Sequence, residues 1–88
     1  MVASLAPNPI HTVRLKNTTG KEQLVWLEPL GDRVSLRPGV QYEMDVADEL
    51  GKVEIDLTEN GFVIYGWTTR VTAISVDGIR SVEWQLPG

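Results

Sequence analysis

Val40-Gln41-Tyr42-Glu43-Met44-Asp45-Val46 decides the fold. Its even positions are apolar and its odd positions are polar or charged. Side chains alternate sides along a strand, so this segment offers one face to a core and one to water. A helix with the same pattern would scatter its apolar residues around the axis. Val53-Glu54-Ile55-Asp56-Leu57 repeats the alternation with the apolar residues at odd numbers. β-branched and aromatic residues fill the other runs, as strands favour.

Turn chemistry separates these runs. Asn60-Gly61 and Asp77-Gly78 predict tight two-residue hairpin turns, because both residue types tolerate positive φ. Pro38-Gly39 suits a type II turn. Asn17-Thr18-Thr19-Gly20 and Leu30-Gly31-Asp32 mark two further bends. The resulting strands are Ile10–Lys16, Gln23–Glu28, Val34–Leu36, Val40–Val46, Val53–Thr58, Phe62–Trp67, Arg70–Val76 and Ile79–Trp84. A single helical turn at Ala47–Leu50, capped by Asp48, is the one helical segment expected. Several short strands with regular turns predict an all-β fold, an antiparallel β-sandwich of about seven to eight strands. Phe62–Trp67 is apolar at both parities, as a strand covered on both faces would be. Residues 1–9, with Pro7 and Pro9, read as a flexible N-terminal arm. Residues 10–88 read as the single domain that 88 residues accommodate.

Composition narrows the chemistry. There are no cysteines, so disulfides, thiolate metal sites and a cysteine nucleophile are excluded. The absence of disulfides in so small a domain, and a first segment with no basic or apolar run, lean towards a cytoplasmic protein. The net charge is −4, from 12 acidic and 8 basic residues, which disfavours nucleic acid and anionic membrane as partners. The one histidine, His11, stands at the start of a strand with no serine in a nucleophile context, and reads as an exposed side chain. One histidine is too few for a histidine-based zinc site. The eight glycines sit at turns and form no phosphate-cradling motif. These readings predict no catalytic residue, no metal and no cofactor, and so no enzyme. Asn17-Thr18-Thr19 matches a glycosylation sequon and reads more simply as a polar turn.

Val13-x-x-x-Asn17, Val25-Trp26-Leu27-Glu28-Pro29-x-Gly31-Asp32 and Leu36-x-Pro38-Gly39-x-x-Tyr42-Glu43 resemble a group of small bacterial all-β domains. The likeness spans about the first half of the chain. It implies a bacterial, stand-alone β-domain and brings with it no activity and no ligand.

Among the aromatics, Trp26 and Trp84 read as core, the latter on the parity of Val82 and Leu86. Tyr65 and Trp67 suggest something else. A turn at Asn60-Gly61 pairs Glu59 with Phe62, and so sets Asp56 opposite Tyr65 and Glu54 opposite Trp67. If Val40–Val46 and Val53–Thr58 are neighbours, matching their apolar faces sets Asp45 beside Glu54 and Glu43 beside Asp56. The expected rows are Glu43-Asp56-Tyr65 and Asp45-Glu54-Trp67, four carboxylates beside two rings. Like charges opposite one another destabilise a sheet unless neighbouring Arg or Lys, a cation or a basic partner compensates. The functional expectation is a non-catalytic interaction module that presents Glu43, Asp45, Glu54, Asp56, Tyr65 and Trp67 to a basic protein surface. The alternatives are a carbohydrate stacked on the rings, or a self-associating structural domain, a homo-oligomer joined through an exposed edge. A glycoside hydrolase with paired carboxylates is disfavoured by the small size.

Overall fold

A computed structural model describes residues 10–47 and 53–87. Ala47, the first residue of the expected helical turn at Ala47–Leu50, ends a strand; the rest of that turn and the N-terminal arm lie outside these residues. Among the described residues eight strands form: β1 (Ile10–Lys16), β2 (Gln23–Glu28), β3 (Asp32–Leu36), β4 (Gln41–Ala47), β5 (Glu54–Thr58), β6 (Gly61–Tyr65), β7 (Trp67–Ile74) and β8 (Arg80–Gln85). They make two four-stranded sheets, ordered β1-β4-β7-β8 and β3-β2-β6-β5. The sheets stack as a sandwich. Among the described residues no helix is long and apolar enough to cross a membrane.

Every neighbouring pair is antiparallel except β2 and β6, which run parallel. The purely antiparallel expectation is corrected there. The core lies where the strand alternation places it. Tyr42, Met44 and Val46 from β4 and Val71 and Ala73 from β7 are buried. They face Val25 and Leu27 of β2, Val34 and Leu36 of β3, and Ile64 of β6. The Tyr42 hydroxyl reaches the end of β3, where it accepts the Arg37 N–H at 2.8 Å.

The turns follow their glycines, with two adjustments. Arg37-Pro38-Gly39-Val40 closes with the Val40 N–H donating to the Arg37 carbonyl, and Gly39 has φ +76°, as a type II turn requires. The β5–β6 loop is Glu59-Asn60, because Thr58 pairs with Gly61. Gly61 therefore opens β6, at φ +152°. The β7–β8 turn is a residue longer than a two-residue hairpin. Ser75 and Ile79 flank it through a 2.9 Å backbone bond, and Gly78 takes φ +83°. Asn17 is buried, and its amide donates to the carbonyls of Lys21 and Leu36 at 2.7 and 2.8 Å while its oxygen accepts from Thr19. That is the structural turn read from the sequence.

One long side of the sandwich is tied shut. The Trp84 indole of β8 donates to Asp32 of β3 at 3.0 Å, and Arg37 pairs with Glu83. A bulge between Val71 and Thr72 moves Val82 to the outer face, where it is exposed, and leaves Trp84 on the inner one. The shared parity of those two residues, read from spacing, does not hold. The opposite side is bounded by β1 and β5.

Candidate functional site

β4 and β5 are not neighbours. β4 lies between β1 and β7, and among the described residues β5 pairs only with β6, in the other sheet. The four-carboxylate ladder therefore does not form. Glu43 and Asp45 stand on one sheet, and Glu54 and Asp56 on the other. Adjacency in sequence misled because the chain leaves β4 for the opposite sheet before pairing again.

On their sheet, Glu43 and Asp45 are neutralised from both sides. Glu43 accepts from Arg14 of β1 at 3.0 Å and from Arg80 at 2.6 Å. Hydrogen bonds and charge from these two guanidiniums hold the Glu43 carboxyl below its ordinary range. Asp45 accepts from Thr12 at 2.9 Å and pairs with Arg70 at 3.3 Å. This network is the outer surface of its sheet.

Trp67 also belongs to that sheet. A tight turn at Gly66 carries the chain from β6 to β7. The Gly66 N–H donates to the Glu28 carbonyl and its own carbonyl accepts from Thr68. A Cβ at Gly66 would stand 2.7 Å from the Val46 side chain, so this corner needs glycine. Phe62–Trp67 is therefore two strands, not one. Tyr65 and Trp67 end on different sheets, with Trp67 opposite Ala47.

What remains of the expected site gains new members. The β5–β6 register places Glu54 opposite Tyr65 and Asp56 opposite Val63. This is two residues from the expected register, so each side chain keeps its face. The parallel partner β2 adds Glu28 beside Tyr65 and Trp26 beside Val63. Val25 and Leu27 are fully buried, so Trp26 and Glu28 point outward. Two rows cross the outer face, Glu28-Tyr65-Glu54 and Arg33-Trp26-Val63-Asp56. Trp26 is thus a half-buried outer residue and not part of the core. The Arg33 guanidinium lies 5.3 Å from the centre of its ring.

Tyr65 is 43% exposed at the middle of this face. Partial burial, followed by the charges of Asp56, Glu54 and Glu28, raises its phenol above the ordinary value. Among the described residues, no Lys or Arg forms an ion pair with Glu28, Glu54 or Asp56. Sequence reading missed Trp26 and Glu28 because Leu24-Val25-Trp26-Leu27 is apolar at both parities. Glu28, on the parity of Trp26, was the one signal of which side faced water. His11 is exposed on β1, opposite Val46. Among the described residues, no three His, Asp or Glu side chains converge as metal ligands would. No protein-family model, curated protein or solved structure matches this chain.

Proposed function

We propose that this domain is a non-catalytic interaction module that binds a basic protein surface through the outer face of β2, β6 and β5. The observation that carries this reading is the difference between the two outer faces. Glu43 and Asp45 are held by the protein's own arginines. Glu28, Glu54 and Asp56 ring an apolar centre of Trp26, Val63 and Tyr65 with no paired Lys or Arg among the described residues. Aromatic anchors supply contact area with few rotatable bonds, and an acidic rim steers cationic partners. Arg33 stands over Trp26, a contact of the kind a partner's guanidinium would make on this face. The same contact covers a ring face that a sugar would need, which places the carbohydrate reading second.

The test is affinity capture from native lysate with three baits: wild type, Trp26→Ala/Tyr65→Ala, and Glu43→Gln/Asp45→Asn. The reading expects a basic partner that is lost with the aromatic pair, retained with the second pair, and weakened by salt. A partner lost only with the second pair would move the site to the other sheet.

A further inference from the structure

The open side of the sandwich carries a second inference, which shares Asp56 with the acidic face. β8 and β3 are tied together by Trp84, Asp32, Arg37 and Glu83, so among the described residues β1 and β5 are the edges of the two sheets on the other side. β5 is short and carries Glu54 and Asp56 on its outer face, but it has no lysine, no proline and no bulge. Its inward-facing residues are poorly covered. Ile55 and Leu57 pair with Ile64 and Phe62 on the core side, yet they are 41% and 78% exposed. On β1 the corresponding apolar residues, Val13 and Leu15, are half-buried against the core.

The two edges are complementary. β5 turns Glu54 and Asp56 to its outer face, and β1 turns Thr12, Arg14 and Lys16 to its own. Both strands also run the same way. Leu15 at the end of β1 and Phe62 at the start of β6 line one cavity of about 180 Å³, and Leu57 pairs with Phe62. Leu57 and Leu15 therefore stand at the same end of the sandwich, where both strands finish.

We propose that a second copy of this chain occupies the open side, forming a closed two-fold dimer in which β5 of each copy pairs in parallel with β1 of the other. A two-fold axis parallel to the strands exchanges the two sheets without changing levels. It sets Ile55 beside Val13, Asp56 beside Arg14, Leu57 beside Leu15, and Thr58 beside Lys16. Both junctions form at once, so the assembly closes and does not polymerise. The exposed apolar residues of β5 are covered, and Asp56 meets Arg14, a guanidinium that also holds Glu43. The other symmetric arrangement, β5 against β5 and β1 against β1, brings carboxylates to carboxylates and Arg14 and Lys16 to themselves. Charge selects the crossed pairing.

The chain has no cysteine, so single cysteines report the pairing directly. Sedimentation equilibrium should give twice the chain mass for wild type. Leu57→Lys, at a position already largely exposed, should weaken the dimer by about tenfold or more while leaving the circular dichroism spectrum unchanged. Lys16→Cys and Thr58→Cys, mixed and oxidised, should form a disulfide between unlike variants. A wild-type monomer at all soluble concentrations would overturn the proposal. So would an undiminished Leu57→Lys dimer, or disulfides that join only like variants.

Discussion

The Trp84 indole N–H of β8 donates to the Asp32 carboxylate of β3 at 3.0 Å, joining the last strand of one sheet to the first of the other. Trp84→Phe keeps much of the ring packing and removes the donor. It should cost about 1 kcal/mol, because Asp32 is exposed and water replaces the lost partner. Urea denaturation of Trp84→Phe and Asp32→Asn measures this clamp. Two midpoints equal to wild type would show that packing alone holds this side.

Thr68 is fully buried opposite Val46, and among the described residues its hydroxyl has no hydrogen-bond partner. Desolvating an unpaired hydroxyl is costly, and valine has the same shape without it. Thr68→Val should therefore stabilise the fold by about 1 kcal/mol. A lower thermal midpoint would mean that the hydroxyl finds a partner.

Gly61 and Gly78 separate two uses of glycine. Both have positive φ. A Cβ on Gly61 would also meet the Leu24 carbonyl oxygen at 1.9 Å, whereas Gly78 faces open space. Gly78→Ala should cost about 1 kcal/mol from backbone conformation alone. Gly61→Ala should cost at least about twice that, because the β2–β6 contact must also part. Equal denaturation midpoints for the two variants would remove the steric argument.

The acid limb of the stability profile tests the Glu43 network. A four-carboxylate ladder would have raised carboxyl pKa values and moved peak stability to mildly acidic pH, unless neighbouring arginines reversed the sign. Arg80 and Arg14 do reverse it at Glu43, whose folded pKa lies below its ordinary 4.5. A lowered folded pKa means that the unfolded chain binds more protons in the interval. The stabilisation is therefore complete above the unfolded value and disappears as pH falls through the folded one. Thermal melts should lose stability on acidification through that window. Glu43→Gln should lose less over the same window, and salt should narrow the difference.

Tyr65 reports the other face. Its phenol is raised by partial burial first and by Asp56, Glu54 and Glu28 after it. Ultraviolet titration, with Tyr65→Phe to assign the signal, should show ionisation above the ordinary tyrosine value of 10.0. Glu54→Gln/Asp56→Asn should bring it part of the way down, leaving the share due to burial and to Glu28. No change in the double variant would separate these carboxylates from the ring.

The alternation in Val40–Val46 determined which side chains enter the core, since Tyr42, Met44 and Val46 are all fully buried. The ends of β1 and β2 and the turns at Gly39 and Gly78 were legible for the same reason: parity and φ preferences are local properties of a few residues. The candidate site was legible only in part. Glu54, Asp56 and Tyr65 do share a face, because hairpin partners lie close in sequence and a two-residue slip preserves parity. Glu43 and Asp45 went to arginines of β1, β7 and the start of β8, and Trp67 went to the other sheet through the Gly66 corner. Trp26 came to the site from β2, through the parallel pairing with β6. Periodicity says which way a side chain points along its own strand and says nothing about which strand lies beside it. That choice is made by long-range packing of the two apolar faces, which only the tertiary structure contains.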